Sequence, residues 1–276
     1  GDHLFELAHH FAQAAPLLSW GPATDFSVRA GERALQLSAF SEAAAHFAQA
    51  LAGLDAQGVT RGSRRAEVLA RLGEARLRSG QLKAGLESCR AAASLAREVG
   101  DARLLARCAL AMGVELTPGR PNPELAALLD EALAALRGGE QALSAELLAR
   151  SAAAQTPSPE PAPLLAMARR AVAQARPLNE PAVLARVIAW ARAAYTTADD
   201  LTERLALDSE LAALARQLDA RHLALQAHGR LVLDHVEQGD VRAVEANLAV
   251  YEALADALPN PLVQWRLPLL RLMWAA

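Results

Sequence analysis

The chain has almost no lysine, isoleucine or aromatic side chain, and each shortage narrows the choice of fold. Lys83 is the sole lysine among 28 basic residues, Ile188 the sole isoleucine, and Tyr195 and Tyr251 the only tyrosines, with aromatics at 4%. Residues of the apolar set still reach 53%, so that content is mostly Ala and Leu, two of the strongest helix formers. Strand formers are scarce, which leaves an all-α fold. Cysteine stops at Cys89 and Cys108; both read as small buried thiols of a reducing cytosol, with a redox pair as the alternative. No run of about 18 apolar residues occurs, and no signal-peptide pattern opens the chain. The expectation is a cytoplasmic protein without a membrane span.

Chemistry is missing as well. A net charge of -3 and a pI near 6.2 argue against direct contact with nucleic acid, because acids interleave with the arginines where a phosphate-binding stripe would need unbroken positive charge. There is no G-x-x-x-x-G-K-[ST], H-E-x-x-H, G-x-S-x-G or C-x-x-C, so no catalytic, cofactor or metal residue is expected and the segment cannot itself be an ATPase. His228 and His235 share a helix face but are separated by about 10 Å of rise, too far for one metal ion. His9 and His10 point about 100° apart. Asp199, Asp200 and Glu203 could pair as carboxylates, but they stand at a helix start, where acids meet the positive end of the macrodipole.

What is present is a repeat. Residues 66–100 read as two helices closed by Gly80 and Gly100. The first places Leu69, Leu72, Gly73, Arg76 and Leu77 on one stripe, the second Leu82, Gly85, Leu86, Cys89, Ala92, Ala93 and Ala96. Small residues at 73 and 85 let two antiparallel helices approach closely. Residues 25–54 imitate the pair: Gly31, Phe40, Ala43, Phe47 and Ala50 precede Gly73, Leu82, Gly85, Cys89 and Ala92 by a constant interval. A Leu-Ala-Arg triplet then marks successive first helices at Leu69, Leu105, Leu148 and Leu184, with Leu223-Ala224-Leu225 as a looser copy. Recurrence at this interval predicts roughly seven stacked helix pairs.

Helices are expected over 3–15, 25–37 and 40–54, with 16–22 as a turn. Proline clusters at 117–123 and 156–161 read as loops between helices rather than as linkers. The last hairpin is expected over 199–238 and 241–258, followed by an apolar helix over 262–276. That helix carries only two arginines, which suggests a piece cut from a longer protein and self-association through its apolar face. Residues 1–100 are expected to hold the N-terminal helices and the clearest pairs, and 101–276 a divergent continuation.

Gly31 to Leu51 and Leu69 to Ala93 resemble tetratricopeptide (TPR) repeats, with small residues at Gly73, Gly85 and Ala92 and large ones at Leu69 and Leu72. Arg76 departs from the pattern, standing where an aromatic is usual. The opening HLFELAHHFAQAA and the following FSVRAGERALQLSAFSEAAAHFAQAL are similar to the segment after the nucleotide-binding module of large bacterial signal-transduction ATPases, the LuxR-type and MalT-like regulators and related adenylate cyclases. The resemblance implies a right-handed superhelix of antiparallel pairs, a TPR-like α-solenoid. It also implies a non-catalytic sensor whose concave groove binds a protein, a peptide or a small inducer and regulates an attached ATPase. On the family's pattern the groove is lined from first helices, here Glu67, Glu74, Arg78 and Arg192. Trp190 and Tyr195 read as lying on one alanine-rich helix, where they either offer a flat contact to a ligand or pack in the core. A freestanding scaffold and a helical enzyme are the alternatives.

Overall fold

The computed structural model describes residues 3–17, 19–113, 120–197, 200–257 and 266–275. Every regular element among the described residues is helical. They are α1 (Leu4–Ala14), α2 (Trp20–Gln36), α3 (Phe40–Ala56), α4 (Ser63–Arg78), α5 (Leu82–Glu98), α6 (Ala102–Met112), α7 (Pro123–Leu136), α8 (Gln141–Ala154), α9 (Pro161–Ala175), α10 (Pro181–Ala191), α11 (Leu201–Gln217), α12 (Arg221–Gln238), α13 (Val241–Asp256) and α14 (Arg266–Ala275). Single 3₁₀ turns, Arg176–Leu178 and Arg192–Ala194, extend α9 and α10. Consecutive helices pack as pairs, α2 with α3, α4 with α5, α6 with α7, α8 with α9, α10 with α11 and α12 with α13. This is a TPR-like α-solenoid fold, and the Leu-Ala-Arg triplets fall in first helices, as the repeat predicts. Contacts divide the chain into two compact units, Gly1–Pro118 with Asn122–Glu140 and Gly119–Pro121 with Gln141–Ala276.

In the first unit the predicted stripe is the core. Leu69, Leu72, Gly73 and Leu77 of α4 are buried, as are Gly85, Cys89, Ala92, Ala93 and Ala96 of α5. Leu82 departs from it and is exposed, since the first residue of α5 lies beyond the packed turns. A Cβ added at Gly73 would lie 2.4 Å from Cys89 Sγ and 3.0 Å from the Gly85 carbonyl oxygen, so glycine at 73 sets how closely α4 and α5 pack. Gly80 ends α4 at φ +85°, the left-handed geometry that closes helices. Both cysteines are free and buried. Burial is the main cause that pushes each thiol up to about 12, which leaves both protonated and unreactive near neutral pH.

Several expected boundaries move. The turn over 16–22 is shorter than expected, because α2 already begins at Trp20: the Ser19 hydroxyl accepts from Gly21 N, and Pro22 lies in the first turn, where no helical N–H is needed. The arm expected over 199–238 is two helices, broken at Leu218–Ala220, where Asp219 takes φ +49°. Tyr195 is not helical but follows the 3₁₀ turn after α10, and its hydroxyl donates to Glu203 at 2.9 Å. Asp200 makes no side-chain cap to α11; it accepts from Thr197 Oγ1 at 2.7 Å. Glu203 pairs with Arg169 instead of serving the macrodipole alone. Asp199 and residues 262–265 lie outside the described residues.

Second helices of neighbouring pairs are tied by forked ion pairs. Arg90 and Arg97 of α5 meet Glu124 and Glu131 of α7, each through two hydrogen bonds of 2.6 or 2.7 Å. In the second unit Arg169 and Arg176 meet Glu203 and Glu210 of α11. All four pairs join residues 34 apart, and each member of the second set follows its counterpart by 79 residues. Hydrogen bonds from Arg97 hold the Glu131 carboxyl below its ordinary range. A carboxylate depressed on folding adds stability above its unfolded pKa and loses it as pH falls through the folded value. Both side chains are nearly half exposed, so the coupling from an Arg97→Ala/Glu131→Ala double-mutant cycle is expected to be about 0.5 kcal/mol at low ionic strength. It fades in about 1 M salt and below the carboxylate range. Urea denaturation under those conditions measures it.

Candidate functional site

Three of the predicted groove residues come together on α4. Glu67 lies 3.9 Å from Arg107 of α6, while Glu74 bridges Arg71 at 3.3 Å and Arg78 at 3.0 Å. The Arg78 guanidinium also stacks over Phe40, 5.4 Å from the ring centroid. The result is a charged strip across two neighbouring first helices, held by exposed or half-buried pairs that a ligand can replace at little cost.

The second unit repeats part of this strip and then departs from it. Glu146 and Arg186 follow Glu67 and Arg107 by the same 79 residues and pair at 2.7 Å across α8 and α10. Arg150 follows Arg71 by that interval, but Ala153 stands where the first unit has Glu74. Without the carboxylate, Arg150 is buried with its guanidinium 3.3 Å from the centroid of Trp190, a geometry the ring quadrupole favours. Trp190 is half-buried on α10. One face of its ring is therefore covered by a cation.

Arg192 lies elsewhere, in a buried ion network. Its Nε donates to Asp208 at 2.7 Å, Nη2 to Asp234 at 2.7 Å and Nη1 to the Tyr195 carbonyl at 3.3 Å. Arg204 lies 3.4 Å from Asp234 and also pairs with Glu237, and Arg230 lies 3.7 Å from Asp208. Three arginines thus balance three acids. Desolvation raises the Asp208 carboxyl above its usual range although Arg230 and Arg192 pull it down. The 3₁₀ turn at Arg192–Ala194 places this guanidinium among α10, α11 and α12, and the Ala189 carbonyl accepts from Gln226 at 3.2 Å and Arg230 at 3.0 Å. A buried network of this kind fixes geometry more than it adds stability, and here it anchors the end of α10 just past Trp190.

A concavity lies in this unit. α12 forms the floor and α11 and α13 the walls of an open groove of about 590 Å³, lined in part by Arg216, Arg221, His228, His235 and Asn247. His228 Nδ1 lies 2.8 Å from Asn247 Oδ1. Sequence spacing paired the two histidines on one face but missed the groove, which exists only once α11 and α12 are separate helices. Among the described residues no group of three or more His, Cys, Asp or Glu side chains could hold a metal ion, and no helix is long and apolar enough to cross a membrane.

No protein-family profile and no curated protein matches the chain. Solved structures do. A Rap conjugation gene regulator of the plasmid pLS20, in complex with the Phr* peptide, is similar over 88% of this chain and 67% of its own, with a TM-score of 0.65 at 16% identity. A Rap protein complexed with competence and sporulation factor is similar over 99% of this chain and 85% of its own, with a TM-score of 0.64 at 13% identity. At these identities the likeness concerns the fold.

Proposed function

We propose that this chain is a non-catalytic peptide-recognition module, the sensing arm of a larger regulator in which peptide binding controls an attached ATPase and a transcriptional or cyclase output. The observation that carries the reading is Trp190, half-exposed on a first helix, with Arg150 fixing one face of its ring and Glu146–Arg186 beside it. Aromatic side chains held rigid beside charged pairs are what peptide interfaces use as anchors. In the first unit Glu67, Glu74 and Arg78 offer separate polar contacts of their own, and in the second Arg192 keeps the end of α10 in place. Likeness to two helical-repeat proteins solved with a peptide or with competence and sporulation factor supports this reading.

The test is a displayed library of short random peptides panned in parallel on the wild type and on Trp190→Ala. Wild type is expected to enrich a defined set of sequences that Trp190→Ala does not. Their synthetic versions are expected to bind the variant at least about tenfold more weakly, as an aromatic anchor worth more than about 1.4 kcal/mol requires. Failure to enrich any sequence whose binding depends on Trp190 defeats the reading.

A further inference from the structure

Between α5 and α7, and again between α9 and α11, the earlier helix supplies arginines and the later one glutamates. Between α11 and α13 this arrangement stops. The side of α13 that lines the groove carries Asn247, Val250 and Leu254, while its acids lie on other faces, Glu252 being paired with Arg271 of α14 at 2.8 Å. On the α11 side Arg216 is exposed at the groove, and Arg221 follows at the start of α12. Among the described residues neither side chain makes a hydrogen bond or an ion pair, and Asp219 is the one acid lining the groove. Both guanidiniums therefore face a gap that, between the earlier second helices, is closed by carboxylates.

We propose that this groove docks an acidic peptide segment of a partner protein, whose carboxylates take the place of the missing ion pairs. The segment's side chains meet Arg216 and Arg221 at one end, while small residues such as Ala212 and Ala224 admit its backbone over α12. A volume of about 590 Å³ exceeds what a simple anion fills and suits several residues of peptide. Guanidiniums recognise carboxylates in forked geometry, so the amide counterparts of the acidic residues bind poorly. The groove face of α12, with Ala224, His228, Leu231 and His235, is opposite the face that carries Gln226 and Arg230 toward α10. The site is thus independent of the peptide contact assigned to Trp190.

Random peptides displayed on phage and panned on the wild type and on Arg216→Ala/Arg221→Ala distinguish the outcomes. Sequences retained by the wild type and lost by the variant are expected to be rich in Asp and Glu. A synthetic member is expected to lose about tenfold or more in affinity on the double substitution, and a similar amount when its acids become amides. The same peptide is expected to bind Trp190→Ala unchanged, which separates failure of this site from failure of the other. Both arginines are exposed and unpaired, so the variant keeps the unfolding midpoint of the wild type. A retained pool without acidic enrichment, an affinity indifferent to the double substitution, or complete displacement by millimolar inorganic phosphate would each overturn the proposal.

Discussion

Arg192→Met is expected to lower the stability of the second unit by about 3–5 kcal/mol, the cost of leaving buried carboxylates without their counter-charge. Asp208 is fully buried and Asp234 nearly so, and Arg192 donates to both at 2.7 Å. Methionine fills similar space without a donor, so the loss is electrostatic and not a cavity. The pH dependence has a definite sign. Asp208 is already raised above its ordinary range by burial, and removing Arg192 raises it further. A carboxyl whose folded pKa exceeds its unfolded value destabilises the fold above that pKa and is relieved as pH falls through it. The gap between variant and wild type is therefore largest at neutral pH and narrows in acid, as urea denaturation at several pH values measures. Adding Asp208→Asn and Asp234→Asn to Arg192→Met is expected to recover part of the loss; an unchanged gap across pH would show that packing dominates.

The sequence made the pairs legible but not this network, for a physical reason. Apolar stripes repeat every few residues, so Leu69, Leu72, Gly73 and Leu77 announce a buried face within a single helix. Arg192, Asp208 and Asp234 lie on three different elements, 16 and 42 residues from one another in the pairings that matter, and in an Ala-rich helix each looks like part of a solvated face. A signal was available in the 79-residue recurrence. Where the first unit has Gly113 and the buried Leu129, the second has Arg192 and Asp208, and where it has Ala111 the second has Trp190. Charged residues replacing core positions of an internal copy mark a place where the local rule is broken, and such places are where function is to be sought. Glu67, Glu74 and Arg78 came from the TPR resemblance and not from any signal of their own, and all three lie on the one helix α4. The groove over α12 was not readable, because it depends on the break at Asp219.

Gly73→Ala is expected to crowd the backbone of the neighbouring helix in the first unit. Alanine is the better helix former by about 1 kcal/mol, yet its Cβ would stand 2.4 Å from Cys89 Sγ, 3.0 Å from the Gly85 carbonyl oxygen and 3.1 Å from Cys89 N. The sulfur is a side-chain atom and can be removed; the other two belong to the backbone of α5 and move only if the helices separate. Overpacking of this kind costs about 1–3 kcal/mol, and contact with backbone puts the expected net loss near the upper end. Cys89→Ala in the same chain relieves only the first contact, so the double variant is expected to recover less than half of what Gly73→Ala loses beyond the Cys89→Ala variant alone. Gly21→Ala is the control, with only Ser19 Oγ at 3.7 Å, and is expected to be neutral or slightly stabilising. Thermal and urea unfolding of the four variants measure these differences. Full recovery by Cys89→Ala would mean that the thiol, and not backbone approach, sets the spacing of α4 and α5. Because α4 carries Glu67, Glu74 and Arg78, a shift of that helix also moves the charged strip relative to Arg107 of α6. Gly73→Ala is thus expected to weaken any peptide contact on the strip while leaving Trp190-dependent binding in the second unit unchanged.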